Sequence, residues 1–148
     1  ELADAKDSLI TYSNGTIASA AYKLAAPSSK IYASKDASVG SVGTYLSMVD
    51  DSKKWAKEGR ELKLFRDGDL KALGHPGKEM TAEESQYLQE EVQSLSAKFK
   101  GFVREKRPQI KESALQGQTF SGTRAITSGL IDGHYRDLAD VLAAEITR

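Results

Sequence analysis

The sequence predicts an α/β domain. Three observations carry this: short β-prone apolar runs bounded by turn residues, helical stretches between them, and one long segment with helical apolar periodicity.

The elements follow in chain order. Leu9-Ile10-Thr11-Tyr12, between the polar run 6–8 and the turn residues Ser13-Asn14-Gly15, predicts a buried strand. Residues 18–26 are rich in alanine and predict a helix stopped by Pro27. Small side chains bury little area each, so size alone does not explain that run. Lys30-Ile31-Tyr32-Ala33 predicts another strand. In residues 38–49, Gly40 and Gly43 predict a tight strand or loop that another backbone can approach. A helix over about 47–58 carries Trp55 and ends at Gly59. Residues 61–68 predict a strand with Leu62 and Leu64 on one face, and 69–80 a loop. Thr81 and Glu84 match a capping box. Leu88, Val92, Leu95, Phe99 and Phe102 then repeat at helical spacing, so a long helix is expected over about 82–106, on the order of 37 Å long. Such a stripe is core or subunit contact before it is a cofactor box. Residues 120–133 predict a short helix ended by Gly129 and a buried Leu130-Ile131. Residues 136–147 predict a final amphipathic helix.

The 148 residues are enough for one domain with a core. Lys+Arg and Asp+Glu are both 21, and zero net charge argues against broad capture of nucleic acid. The absence of cysteine excludes disulfides, thiolate catalysis and cysteine–zinc sites. No apolar run approaches the roughly 20 residues of a membrane-spanning helix. The first residue is Glu1, which marks the chain as a fragment or a processed product.

Metals and cofactors find little support. His75 and His134 lack ligand spacing, although Asp132 and Asp137 lie near His134. There is no phosphate-binding loop and no nucleophile-elbow motif. One sequence still leaves a Ser–His–Asp arrangement open. Ser19 stands where a turn meets a helix start. There, unpartnered backbone N–H groups can cap through a serine hydroxyl or stabilise an oxyanion. An N-cap serine is the plain reading of this feature. A nucleophilic serine needs a base, and without a nearby histidine a lysine serves. Its amine must be neutral, so its pKa must fall from about 10.4 toward about 7–8. Lys71, between Leu70 and Ala72-Leu73, has the least charged setting; its plain reading is a surface loop lysine.

These segments resemble the signal peptide peptidase A type of serine–lysine peptidases, which includes phage capsid-maturation relatives. Residues 17–34 are similar to the family's nucleophile segment and place the nucleophile at Ser19. Gly40-Ser41-Val42-Gly43-Thr44 resembles the next block. Residues 64–84 resemble the lysine block and place that lysine at Lys71. Ser121-Gly122, Ala125 and Gly129-Leu130-Ile131-Asp132 resemble the last. The resemblance covers about residues 9–142. Two departures stand out: Ala20 and Ala21 replace the family's two glycines, and the family's upstream half has no counterpart here.

The resemblance implies a ClpP/crotonase-type fold, of which this chain is the C-terminal portion. It implies a Ser19–Lys71 dyad, an oxyanion donor at the Ala20 backbone, and no cofactor. Ser38 or Ser41 would orient the lysine. The implied partners are an extended peptide substrate, other protomers of a homo-oligomer that share the site, and the missing half in the same or another chain. The implied setting is a bacterial membrane reached through an N-terminal anchor, or the cytoplasm for a phage- or prophage-encoded protein. Ser13, Thr16 and Ser41 are the alternative nucleophiles. A catalytically inactive assembly module of the same fold is the rival function.

Overall fold

A computed structural model describes residues 9–146. Glu1, the polar run 6–8 and residue 147 of the expected last helix lie outside the described residues. The fold is mixed α/β, and the chain divides into two compact units, 1–44 with 96–148, and 45–95.

The first unit is built by a chain that alternates between two sheets. β1 (Ile10–Ser13) turns through Asn14-Gly15 into β2 (Thr16–Ala18), and α1 (Ala20–Ala25) follows. β3 (Lys30–Ala33) then pairs in parallel with β1, and β4 (Ser38–Gly40) in parallel with β2. The two crossings from one sheet to the other are bonded together: Ser34 N–H donates to Ser13 O and Ser38 N–H to Gly15 O, at 2.9 and 2.8 Å. β5 (Thr119–Ser121) adds antiparallel to β4, and β6 (Gly133–His134) adds parallel to β3. The strand orders are β1-β3-β6 and β2-β4-β5.

Tyr22, Ile31, Val39, Val42, Val103, Leu115 and Leu130 form the solvent-excluded centre of this unit. The alanine run divides in two. Ala25 and Ala26 are buried and let α1 approach the sheets closely, whereas Ala20 and Ala21 are exposed. The Tyr22 hydroxyl donates to Leu130 O at 2.7 Å, and burial pushes its pKa up. Arg107, also buried, donates to Asp132, whose same oxygen accepts Ile31 N–H. A buried cation persists because it is paired and hydrogen-bonded.

The second unit contains α2 (Ser52–Lys57), a series of turns, and the first part of α3 (Ala82–Lys106). The capping box closes reciprocally at 3.1 Å: Glu84 N–H donates to Thr81 Oγ1 and Thr81 N–H to a Glu84 oxygen. Lys78 donates to the same buried carboxylate, which these bonds hold below the usual carboxylate range. Gly77 takes left-handed geometry (φ +77) under Trp55, whose ring would lie 2.3 Å from an added Cβ. Arg60 stacks on the same ring, 3.6 Å from its centroid.

Several expectations need correction. Residues 61–66 form no strand, because they find no partner strand among the described residues; Leu64 and Phe65 are exposed. The helix expected from residue 18 starts at Ala20, since Thr16–Ala18 is a strand. The helix expected over 47–58 is confined to Ser52–Lys57, and the one expected from 136 begins at Leu138 as α5 (Leu138–Ile146). α4 (Gly122–Thr127) precedes Gly129, whose φ of +76 ends that turn. The α3 stripe is uneven: Phe99 and Val103 are buried, Leu88 and Val92 half-buried, and Leu95 is 52% exposed.

Candidate active site

Ser19 sits between β2 and α1, at the point where a parallel strand turns into a helix. Its backbone has φ +53 and ψ −119, outside the regions that suit an L-residue. Among the described residues, Ser19 and Ser41 are the non-glycine residues with positive φ. Such geometry costs on the order of 1–3 kcal/mol and persists only where the surroundings impose it. Here they do: Ser19 N–H donates to Gly40 O at 2.9 Å, and Ser19 O accepts Lys23 N–H to begin the helix. The Ser19 hydroxyl makes no capping bond and the residue is exposed. The plain N-cap reading therefore fails on geometry. The strand–serine–helix turn is the shape of a nucleophile elbow, formed without the sequence motif that usually announces one.

Ala20 follows as the first helical residue, exposed, one position before Ala21. Its N–H precedes the first intrahelical bond, so it belongs to the donors a helix start leaves over. Ser41 stands at the matching place on the neighbouring strand. Ala18 pairs with Gly40, so Ser19 and Ser41 are the next residues along two parallel strands. Ser41 has φ +52, is half-buried, and its N–H donates to Gln118 O at 2.9 Å. Ser38 lies at the opposite end of β4, paired with Thr16 and Ser121. Ser38 and Ser41 thus do not form one cluster. Of the alternative nucleophiles, Ser13 accepts Gly15 N–H through its hydroxyl oxygen, and Thr16 opens β2.

Lys71 belongs to the 45–95 unit. It lies in consecutive turns, with its N–H on Gly68 O at 3.2 Å and Leu73 N–H on Leu70 O at 3.1 Å. The residue is exposed, and its amine has no hydrogen bond or ion pair among the described residues. The His75 ring nitrogen Nδ1 contacts Pro76 O, and His134 is exposed at the end of β6. No group of His, Asp and Glu suited to a metal ion occurs among the described residues.

Sequence reasoning missed Gln118 and its loop. The glycine pair at 40 and 43 was the available signal. An added Cβ at Gly40 would lie 3.0 Å from Gln118 O, and one at Gly43 3.3 Å from Gly117 Cα. The backbone that these glycines admit is therefore residues 117–118.

A profile of Peptidase family S49 matches residues 1–146. The chain belongs to this family. Two relatives are similar over most of this chain. "Putative protease MJ0651" of Methanocaldococcus jannaschii is 33% identical over 130 residues, covering 86% of this chain and 42% of that protein. "Putative signal peptide peptidase SppA" of Enterococcus faecium is 31% identical over 143 residues, covering 93% of this chain and 41% of its own length. The chain thus spans less than half the length of these relatives. The glycines of the last block have a steric reason. An added Cβ at Gly122 would lie 2.0 Å from Ser34 O, and one at Gly129 2.3 Å from Gln109 O, so side chains there would break the packing around α4.

Proposed function

We propose that this chain contributes the nucleophile and the general base of a serine peptidase with a ClpP/crotonase-type fold. The observation that carries the reading is the backbone of Ser19: left-handed, at a strand–helix turn, with an exposed hydroxyl that caps nothing. Membership of a peptidase family supports it.

In this reading neutral Lys71 accepts the Ser19 proton while Ser19 Oγ attacks a peptide carbonyl. The Ala20 N–H, with donors from outside this chain, holds the oxyanion. The lysinium then protonates the leaving amine, and water releases the acyl group. Ser41, beside Ser19, is the better of the two candidates for orienting the lysine; Ser38 is set at the wrong end of β4. Lys71 is exposed within this chain. The reading therefore requires that a second protomer, or the further length that the relatives possess, encloses the amine in the working assembly. The substrate is an extended peptide, either a released signal peptide, as the name of the Enterococcus faecium relative suggests, or a capsid or scaffold protein.

The rival reading is an inactive assembly module, favoured by the exposure of Lys71 and by Ala20-Ala21. Peptide hydrolysis by the assembled protein, and its Ser19→Ala variant, separates the two. Loss of at least about 10³-fold in rate is expected for a removed nucleophile. Full retention of cleavage by Ser19→Ala refutes the nucleophile. Absence of cleavage and of fluorophosphonate labelling in the unsubstituted protein favours the assembly module.

A further inference from the structure

We infer that Gln118 is a positioning residue that holds the Ser19 turn in its strained geometry, acting through Ser41 and Gly40. The inference rests on the nucleophile reading and deepens it.

Two hydrogen bonds run in series. Gln118 O accepts Ser41 N–H, and the adjoining Gly40 O accepts Ser19 N–H, both at 2.9 Å. Each bond ends on one of the two residues driven to positive φ. A left-handed serine relaxes unless its neighbours over-determine it. The position of the 117–118 backbone therefore governs whether Ser41, and through Gly40 Ser19, keeps its conformation.

The Gln118 side chain fixes that backbone. Its Nε2 donates to Ser113 O at 2.5 Å and its Oε1 accepts Gln116 N–H at 3.1 Å, so both ends of the amide close the loop on itself. The loop is anchored further back. Ala114 and Leu115 are fully buried, and Glu112 receives a two-pronged bond from Arg104 at 2.6 and 2.7 Å. The remaining freedom lies in residues 116–118, where Gly117 has φ +85 and packs by Gly43. Gln118 is exposed, so its side chain adds little to the core. Its two bonds set the local geometry of a loop that the core already anchors.

The test uses Gln118→Met, equal in length without the amide, and Gln118→Glu, which keeps the acceptor for Gln116 N–H alone. Hydrogen–deuterium exchange on peptides covering Ser19 and Ser41 is read beside fluorophosphonate labelling and steady-state kinetics of the assembled protein. Gln118→Met is expected to speed exchange at both serines, while Ile31 and Val103 stay protected and the thermal midpoint is unchanged. Labelling of Ser19 and kcat should fall about 10- to 100-fold with KM held, the scale of a misaligned reacting group. Gln118→Glu should lie between. Unchanged exchange at both serines overturns the inference, as does unchanged labelling in a protein that labels when unsubstituted. Failure of the unsubstituted protein to label refutes the nucleophile reading instead, and exchange then decides alone whether Gln118 holds the turn.

Discussion

At the scale of single residues, the proposed nucleophile Ser19 sets stability against chemistry. A serine with φ +53 is strained, whereas glycine adopts that geometry freely. Ser19→Gly should therefore stabilise the fold by about 0.5–1 kcal/mol, after allowing for the greater freedom of glycine in the unfolded chain. It should also abolish hydrolysis. Urea midpoints of the two proteins check this, and a less stable glycine variant would contradict the strain. Ser19 was legible as a helix-start serine because the turn residues and alanines surround it. Its conformation was not legible. Positive φ arises from the bond to Gly40 and from the pairing of β2 with β4, both tertiary.

At the scale of elements, α3 shows why some of this chain could be read directly. Its start is local: Thr81 and Glu84 satisfy each other's backbone N–H groups within one turn. Thr81→Ala should lower stability by about 1 kcal/mol, visible in the thermal midpoint. The Glu84 carboxyl is held low first by Lys78, then by Thr81 N–H. Its folded-state pKa lies below the unfolded one, so its contribution is complete above the ordinary carboxylate value of about 4.3 and fades as pH falls through the lowered value. Helicity followed by circular dichroism should thus drop on acidification, with a flatter profile for Glu84→Gln; matching profiles would remove Glu84 as the cause. The short strands are the opposite case. Thr16–Ala18 and Thr119–Ser121 are three residues each, too short for alternation to register, and their partners lie far away in sequence. Residues 61–68 misled for the same reason: the apolar pattern suits a strand, but pairing depends on a neighbour that sequence does not reveal.

At the scale of the whole molecule, parallel β1–β3 and β2–β4 pairs make the first unit a spiral, each coil laying one strand on each sheet. The α/β class was legible from alternating strand and helix signals. The spiral was not legible, since parallel pairing across a helix leaves no local mark. The glycines of the last block acquire their reason here too. Gly122 faces Ser34 O and Gly129 faces Gln109 O, approaches that exist only once distant coils meet.

A spiral leaves its outermost coil bare. β1 and β2 are each the margin of their sheet, with no further strand beside them among the described residues. An edge strand is a template for pairing with any extended polypeptide, including another molecule of the same kind. The weight-average mass of the isolated chain, read by light scattering, should rise with protein concentration, and Thr16→Lys, a charge at the rim of β2, should suppress the rise. A dilute-like signal at every concentration would mean that these margins are already sealed.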